Sequence, residues 1–127
     1  MGKGYLIDTN VVIDYLENKL PEHSLTLIDG LNVQMSIISR MEILAWPSAN
    51  EDQITILTEF INASSILSLS EDIILKTIDI RKNYRIKLPD AIIAATAMIN
   101  GFSLFTRNMT DFKKVNGLVI IDPYSLK

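Results

Sequence analysis

Four acidic residues, far apart in the sequence, have the residue type and the local settings to form one reactive site. Asp8 ends a short apolar run near the N-terminus, and Glu42 lies inside a helix-like segment. Asp90 stands at the head of a long apolar stretch, and Asp111 closes a polar segment that follows another apolar run. Carboxylate oxygens are the ligands that hard divalent cations prefer. If folding brings the four together, the pattern predicts a metal-dependent enzyme that acts on phosphate groups.

The composition excludes several other kinds of site. The chain has 127 residues, of which 48% are hydrophobic and 21% charged, and this suits a single domain spanning residues 1–127. It contains no cysteine, so disulfides and thiolate zinc sites are excluded. His23 is the only histidine, which rules out sites with several histidine ligands, and we expect it on the surface of a helix.

The sequence carries no sign of membrane insertion or export. No apolar stretch reaches the roughly 20 residues that a membrane-spanning helix needs. The first residues run directly into a strand-like segment, without the pattern of a signal peptide. We therefore expect a cytoplasmic protein with no membrane partner.

The charge is unevenly distributed along the chain. The net charge is −3, but positions 1–80 hold twelve acidic and four basic residues, whereas positions 81–127 hold three acidic and eight basic residues. A local basic patch can bind phosphate although the whole chain is acidic. The end of a helix also favours cations, so a solvated helix terminus explains the same residues. Four of the basic residues lie together directly before Asp90: Arg81, Lys82, Arg85 and Lys87.

Strand-like and helix-like segments alternate along the chain, and these elements must position the acids. Such alternation favours an α/β fold with a mainly parallel sheet, and continuous apolar strands suit a sheet covered on both faces. The last predicted helix is apolar nearly all round, so we expect it to be buried, with Gly101 as a left-handed cap. The predicted strands are 5–7, 33–36, 65–69, 102–106 and 118–121, and the predicted helices are 9–17, 22–31, 38–46, 51–63, 71–84 and 89–100.

The predicted topology places the four acids at one edge of the sheet. In open parallel sheets, ligands bind outside the carboxyl ends of the strands. Asp8 follows the first strand, and Asn108 and Asp111 follow the fourth. Glu42 lies one to two turns into the helix after the second strand, and Asp90 lies in the first turn of its helix. All four acids can therefore reach the same edge.

Each acid also has a purely structural explanation. Asp8 can cap the first helix, and Ser39 and Glu42 have the spacing of a capping box. Asp90 can interact with the dipole of its helix, and Asp111 can cap the short turn that follows it. Four such coincidences at one sheet edge favour a shared site over four separate caps.

The sequence resembles PIN-domain ribonucleases, and among them most the VapC-type toxins of toxin–antitoxin pairs. The length and the order of the motifs match over essentially the whole chain, and the last two motifs are specific in combination. The matching motifs are Leu6-Ile7-Asp8-Thr9-Asn10, Ser39-Arg40-Met41-Glu42-Ile43-Leu44, Leu88-Pro89-Asp90-Ala91-Ile92-Ile93-Ala94-Ala95-Thr96-Ala97 and Leu104-Phe105-Thr106-Arg107-Asn108-Met109-Thr110-Asp111-Phe112.

The resemblance implies a fold and a metal site. The fold is a PIN-like three-layer sandwich, with a central five-stranded mainly parallel sheet flanked by helices. The cofactor is Mg²⁺ or Mn²⁺, held by three core acids that correspond to Asp8, Glu42 and Asp90. Family members vary in the fourth polar position, which is an acid either at the place of Asn108 or at that of Asp111. Here Asp111 is the only acid available, and we include it among the metal-binding and catalytic candidates.

The resemblance also implies an activity and partners. The activity is hydrolysis of RNA by metal-activated water, with Asn10, Thr106 and Asn108 supporting the acids. The partners are the RNA substrate, a small antitoxin, and a second copy of the chain, with DNA contacted only through the antitoxin. Surplus apolar residues on the first two helices suggest such partners as well. The candidates for contacts to RNA phosphates are Arg40, Arg81, Lys82, Arg85, Lys87 and Arg107, although Arg40 can instead pair with a neighbouring acid.

Two other functions remain open on the sequence. A catalytically silent module would keep the fold and use it to bind RNA or protein. A small phosphatase would use Asp8 as a nucleophile, but it would usually have a second acid where Asn10 stands.

Overall fold

Residues 4–125 are described by the computed structural model, and residues 1–3 and 126–127 lie outside them. The expectation about a signal peptide depended in part on those first residues. In chain order the elements are β1 (Tyr5–Ile7), α1 (Thr9–Leu16), α2 (Glu22–Asp29), β2 (Gln34–Ser36), α3 (Ile37–Leu44), α4 (Glu51–Asn62), β3 (Ser65–Leu67), α5 (Glu71–Asn83), α6 (Leu88–Asn100), β4 (Ser103–Phe105), α7 (Met109–Phe112) and β5 (Ile120–Ile121).

The strands form one five-stranded sheet in the order β3-β2-β1-β4-β5. Every neighbouring pair is parallel. The central strand β1 pairs through Leu6 with Gln34 of β2 on one side and with Leu104 of β4 on the other. The predicted α/β fold with a mainly parallel sheet is therefore confirmed. The carboxyl ends of all five strands lie at the same edge.

The sheet separates two hydrophobic clusters. Successive residues of a strand point to opposite faces, and here Leu6 packs in the cluster that contains α6, whereas Ile7 packs in the cluster that contains Val11 and Met35. Helices cover both faces, as the continuous apolar strands predicted. Helix α6 is buried from Ala91 to Ala97, and it ends at Gly101 with φ +70°. Both predictions for this helix are confirmed.

Three expectations need correction. Ser36, and not Ser39, caps α3, because β2 ends at Ser36 and its hydroxyl accepts a hydrogen bond from the backbone N–H of Ile38. The predicted capping box of Ser39 with Glu42 is therefore wrong. Asn108 caps α7, so Asp111 lies in the first turn of that helix and does not cap the turn at 112–114. Some strands and helices are also shorter than predicted by up to two residues at one end, and α3 and α6 begin one residue earlier.

The first two helices supply both core residues and half-buried apolar side chains. Val11, Val12 and Ile28 are buried in the core, and Ile13, Tyr15, Leu16 and Leu27 are partly buried against it. Large exposed apolar residues lie on later helices, such as Met41 of α3 and Ile56 of α4, which are 53% and 54% exposed. His23 is exposed on α2, as predicted. Among residues 4–125, no helix has the length and apolar character to cross a membrane.

Candidate functional site

Asp8 lies at the centre of the candidate site. It directly follows β1 and caps α1, since its carboxylate accepts a hydrogen bond from the backbone N–H of Thr9 at 2.8 Å. The predicted capping role is therefore confirmed. The second carboxylate oxygen accepts hydrogen bonds from the Thr106 hydroxyl at 2.7 Å and from the Asn10 side-chain amide at 3.2 Å. These bonds fix the orientation of a carboxylate whose residue is only 4% exposed.

Burial and neighbouring negative charge make the ionised form of Asp8 costly. Its pKa is raised from 3.8 to about 6, chiefly because burial removes water from the carboxylate. The hydrogen bonds from Thr106 and Thr9 oppose this rise, and the charges of Asp90 and Glu42 add to it. Three acids that are distant in the sequence therefore lie within electrostatic range of one another.

Glu42 lies on α3 with its side chain exposed, and it is tied to the start of α1. Its carboxylate accepts a hydrogen bond from the Thr9 hydroxyl, with the two oxygens 2.6 Å apart. The same hydroxyl oxygen lies 3.0 Å from the hydroxyl oxygen of Ser39, which is buried one turn before Glu42. This contact holds α1 and α3 together beside Asp8.

Asp90 lies in the first turn of α6 and is partly buried. Burial raises its pKa, and the charges of Asp111 and Glu42 raise it further, while the Lys87 ammonium lowers it. The start of a helix favours negative charge, so α6 presents Asp90 to the site in a favourable setting. The predicted position in the first turn is confirmed.

The segment after β4 brings the remaining polar candidates together. The buried Thr106 hydroxyl donates to Asp8 and accepts a hydrogen bond from the backbone N–H of Asn108 at 3.0 Å. Asn108 in turn donates from its side-chain amide to the carboxylate of Asp111 at 3.1 Å. That bond lowers the pKa of Asp111, and the Lys114 ammonium, 3.6 Å from the carboxylate, contributes as well. Asn108 and Asp111 are therefore a hydrogen-bonded pair.

Asn10 connects this segment to Asp8. Its side-chain amide donates to the Asp8 carboxylate, and its side-chain carbonyl accepts a hydrogen bond from the backbone N–H of Arg107 at 3.1 Å. Both ends of the Asn10 side chain are thus used to hold two parts of the site at a fixed separation.

The acids are neighbours, but they do not form a closed coordination sphere. Within residues 4–125, no set of three or more acidic or histidine side chains is arranged to hold a metal ion directly. In the same part of the chain, no basic side chain forms an ion pair with Asp8, Glu42 or Asp90. Their negative charge is therefore not neutralised by a direct ion pair in this part of the chain, although the Lys87 ammonium lowers the pKa of Asp90. An all-oxygen set of this kind has the chemistry that a hard divalent cation requires.

Part of the basic patch borders the acids. A groove of about 360 Å³ is lined by Arg81, Arg85, Ile86, Lys87 and Asp111, so three of the predicted basic residues share a surface with one of the acids. The backbone carbonyl of Arg85 also accepts a hydrogen bond from Lys114 at 3.0 Å, which fixes the rim of the groove.

The other basic candidates lie apart from that groove or are already paired. Lys82 lines a separate groove beside Ile78 and Leu88, and the exposed Arg40 lies among the apolar residues of α3. None of the ion pairs within residues 4–125 involves Arg40, so its alternative pairing with an acid is not observed. The Arg107 guanidinium lies 3.2 Å from the carboxylate of Asp14.

The sequence patterns did not reveal the contacts of three residues in the site or beside it. Thr9 stands between two candidate residues, Asp8 and Asn10, and Ser39 shares a helix face with Glu42 at a spacing of three residues. Asp14 is an acid on the otherwise apolar face of α1, three residues after Val11. These spacings are the signals that could have identified them.

Comparison with known proteins agrees with this fold. The PIN domain family matches residues 5–118. A comparison with the curated proteins returned no significant match. The chain is similar to a chain of a toxin–antitoxin complex from Klebsiella pneumoniae, with 29% identity, a TM-score of 0.76, and coverage of 96% of this chain and 99% of that chain.

Two further solved structures give the same result. One is the DNA-bound VapBC from Salmonella typhimurium, with 26% identity, a TM-score of 0.81, and coverage of 96% of this chain and 98% of that chain. The other is VapBC-1 from nontypeable Haemophilus influenzae, with 26% identity, a TM-score of 0.76, and coverage of 94% and 97%. The family match spans most of the sequence, and the five-stranded parallel sheet agrees with it. The chain therefore belongs to the PIN domain family.

Proposed function

We propose that this chain is a divalent-cation-dependent endoribonuclease and the toxin of a toxin–antitoxin pair. The observation that carries the proposal is the group of carboxylates at the carboxyl edge of the sheet. The charges of Asp90 and Glu42 raise the pKa of Asp8, and those of Asp111 and Glu42 raise the pKa of Asp90, beside a groove lined by basic residues. A protein that only bound RNA would gain nothing from mutually repelling acids at this edge.

The donor set fits Mg²⁺ or Mn²⁺. A bound cation would remove the repulsion that raises the pKa of Asp8 and would keep the carboxylates ionised. Because no three acids are arranged for direct coordination within residues 4–125, ligation is partly through water, as is usual for Mg²⁺. Asp8 and Asp90 would be direct ligands, with Glu42 and Asp111 completing the site directly or through water.

The residues divide the chemical work. The cation, when bound, lowers the pKa of a coordinated water and polarises the scissile phosphate. Asp8 is held in one orientation by Thr106, Asn10 and Thr9, so it contributes a fixed negative oxygen to the site. Asp90 or Glu42 accepts the proton of the attacking water. In-line attack then forms the new bond from phosphorus to the water oxygen and breaks the bond from phosphorus to the 3′ oxygen, which takes a proton from solvent, so the products carry a 5′-phosphate and a 3′-hydroxyl. Asn108 orients Asp111 or a phosphate oxygen through its amide.

The basic groove would bind the RNA backbone. Arg81, Arg85 and Lys87 border the groove together with Asp111, so phosphates bound there would pass directly beside the acids. Lys82 and Arg40 lie on neighbouring surfaces and would contact RNA further from the cleavage point. Arg107 would reach a phosphate only if its ion pair with Asp14 opened, and we leave it out of the proposed RNA path.

The proposal of a toxin rests on the structural relatives and on exposed apolar surface. The chains from Klebsiella pneumoniae and Salmonella typhimurium, at 29% and 26% identity, come from a toxin–antitoxin complex and from a DNA-bound VapBC. In this chain an apolar depression formed by α1, α4 and the segment after α3 contains Ile13, Leu16, Trp46 and Ile56. An antitoxin segment with apolar side chains would fit it. A second copy of the chain is the other proposed partner, and DNA would be contacted only through the antitoxin.

The proposal is tested by cleavage of single-stranded RNA with and without Mn²⁺. The wild-type chain should cut, EDTA should stop the cleavage, and the products should carry 5′-phosphates. Asp90→Asn should lower the rate at least about 100-fold while the circular dichroism spectrum and the melting temperature stay close to those of wild type. Asp72→Asn is the matched control, because Asp72 also lies in the first turn of a helix but is exposed on α5.

Other outcomes would point to other functions. Metal-independent RNA binding without cleavage, unchanged in Asp90→Asn, would indicate a silent binding module. A chain phosphorylated on the Asp8 carboxylate after incubation with a phosphate-donating substrate would indicate a phosphatase. That reaction would usually need an acid two residues after Asp8. Asn10 stands there instead, and its side chain is already bonded at both ends.

A further inference from the structure

Asp14 is a buried carboxylate that the proposed reaction does not use. It lies on α1, is 3% exposed, and belongs to neither the acid group nor the basic groove. Burying a charge is costly unless it is paired and hydrogen-bonded. Asp14 meets this requirement with two partners from distant parts of the chain. Its carboxylate accepts a hydrogen bond from the Tyr124 hydroxyl at 2.5 Å, and the Arg107 Nε atom lies 3.2 Å away.

Arg107 connects this carboxylate to the site. Its backbone N–H donates to Asn10, and its sequence neighbours are Thr106, which donates to Asp8, and Asn108, which donates to Asp111. The backbone of Arg107 is therefore fixed on the side of the site, and its side chain is fixed on the side of Asp14. The ion pair anchors the short segment from which three of the site's polar groups are presented.

The segment after β5 also contacts the Asp14 carboxylate. Tyr124 donates to Asp14, and the nearby carbonyl of Pro123 accepts a hydrogen bond from the buried hydroxyl of Ser24 on α2. The segment after β5 is thereby fastened to both α1 and α2. The chain of contacts runs from this segment through Asp14 to Arg107 and then to the acids.

We propose that Asp14 is a positioning residue, which acts through Arg107 to hold Thr106 and Asn108 in register with Asp8. The proposal rests on the proposed nuclease function and assigns Arg107 to positioning instead of to RNA phosphate. Without the Asp14 charge, the guanidinium loses its anchor, and the segment 106–108 gains freedom beside the acids. The bonds of Thr106 to Asp8 and of Asn108 to Asp111 then weaken together, and with them the affinity for the cation.

The two roles of Arg107 predict opposite results. If Arg107 is a positioning partner, Asp14→Asn and Arg107→Gln both lower kcat about tenfold and weaken Mn²⁺ binding, because outer contacts of metal sites commonly contribute a factor of 10 or more. Both variants then leave KM for RNA within about twofold of the wild-type value. If Arg107 binds phosphate, Arg107→Gln raises KM, and Asp14→Asn frees the guanidinium and keeps kcat. The second pattern would overturn the proposal. Arg107→Lys keeps the charge and should recover part of the Mn²⁺ affinity lost in Arg107→Gln.

A milder variant is useful because Asp14→Asn could impair folding. Tyr124→Phe removes one hydroxyl from a residue that is 41% exposed, and it should weaken Mn²⁺ binding and lower kcat by smaller factors than Asp14→Asn does. Tyr15→Phe is the matched control, because Tyr15 also donates to a carboxylate, that of Asp29, away from the segment 106–108. Equal effects of the two tyrosine variants on kcat and on Mn²⁺ affinity would contradict the proposal.

A readout without RNA separates this proposal from the nuclease function. The backbone amide signals of Thr106, Asn108 and Asp111 in ¹H–¹⁵N NMR spectra should shift in Asp14→Asn and in Tyr124→Phe but not in Tyr15→Phe. If Asp14→Asn and Tyr124→Phe shift these amide signals but the wild type cuts no RNA, the positioning role is supported and the nuclease function is contradicted. RNA cleavage by wild type with unshifted amides and unchanged Mn²⁺ affinity in Asp14→Asn would refute the positioning role alone.

Discussion

Thr106 donates a hydrogen bond to Asp8 over a separation of 98 residues, with 2.7 Å between the hydroxyl and carboxylate oxygens. The two residues stand just past the carboxyl ends of β4 and β1, which are neighbours in the sheet. The bond stabilises the ionised form of a carboxylate that burial would otherwise protonate, so it lowers the pKa of Asp8 against the larger effect of burial. The same oxygen of Asp8 also accepts a hydrogen bond from the Asn10 side-chain amide.

Removing this hydroxyl should therefore raise the pKa of Asp8 further above 6. In Thr106→Val the carboxylate loses a donor while the volume of the side chain is kept, and a buried acceptor left without its partner costs about 1–3 kcal/mol. We expect lower stability and weaker Mn²⁺ binding. We also expect the acidic side of the pH–rate profile for cleavage, called the acid limb, to move to higher pH. The pH–rate profile and the pKa of Asp8 from ¹³C NMR measure these changes.

Thr96→Val is the control for that substitution. Thr96 is also buried, but its hydroxyl donates to the carbonyl of Ile92 within α6, away from the acids. This variant should lose stability without moving the acid limb. An acid limb that stays in place in Thr106→Val would show that the bond does not control Asp8.

The stability of the metal-free protein should fall as pH rises from about 4 to about 6. The folded chain holds the Asp8 proton up to pH about 6, whereas the unfolded chain loses it near 3.8, so the folded state binds more protons in this window. The raised pKa of Asp90 acts in the same direction. For Asp8 alone the loss amounts to about 3 kcal/mol, at 1.36 kcal/mol per pKa unit. Urea unfolding at several pH values in EDTA measures it.

Asp8→Asn should abolish most of this pH dependence, because the amide does not titrate. Mn²⁺ should reverse it in wild type, since the cation binds the ionised carboxylates and stabilises the folded state by mass action. The rise in melting temperature caused by Mn²⁺ should therefore be larger at pH 7 than at pH 5. An equal rise at both values would mean that the cation binds elsewhere.

The sequence was sufficient to predict the order of the elements and the edge at which the acids meet. Hydrophobic periodicity and the rule for parallel sheets carry that information, and they placed Asp8 and Asp90 correctly. The cap of α3 was missed because the helix was predicted to begin at position 38, whereas α3 begins at Ile37, directly after β2. Ser36 is at once the last residue of β2, paired with Leu67 of β3, and the cap of α3, and spacing alone does not show that one residue has both roles.

The contacts between separated elements could not be predicted from spacing. The bond from Thr9 to Glu42 depends on how closely α1 and α3 pack, and the contacts of Asp14 depend on side-chain rotamers of residues about 100 positions away. Periodicity describes one element at a time and contains no information on such pairs. The pairing of Arg107 with Asp14 was missed for the same reason.

The four acids should contribute unequally to catalysis. Asp111 is the acid whose pKa is lowered, because Asn108 and Lys114 already stabilise its charge, so it has less to gain from a cation. We expect Asp111→Asn to lower kcat about 10-fold, at the weak end of the range for groups around a metal site, and Glu42→Gln to lower it more. Glu42→Gln should also lower the pKa of Asp8, since one of the like charges is removed. A loss in Asp111→Asn that exceeds the loss in Glu42→Gln would reverse this ranking.

Charge neutralisation in the basic groove should weaken RNA binding more at low salt than at high salt. Each phosphate contact contributes about 0.7 to the slope of log K against log salt for single strands. Arg81→Gln and Arg85→Gln should each reduce that slope by roughly this amount, with kcat unchanged at saturating RNA. Binding is measured by fluorescence anisotropy in EDTA over a range of salt concentrations.

A lysine outside the groove provides the control. Lys19 follows α1 and pairs with Glu17, so Lys19→Gln should leave the slope unchanged. The same reduction in all three variants would indicate a general effect of net charge and no defined RNA path.

The central claim is that Asp8, Glu42, Asp90 and Asp111 surround one cation. Crystals grown with Mn²⁺ and measured near the manganese absorption edge test it most directly, because anomalous scattering locates the ion without assumptions about its ligands. We predict a peak at coordination distance from Asp8 and Asp90, lost in Asp90→Asn crystals. A peak at another surface, or no peak at a Mn²⁺ concentration that supports cleavage, would contradict the claim.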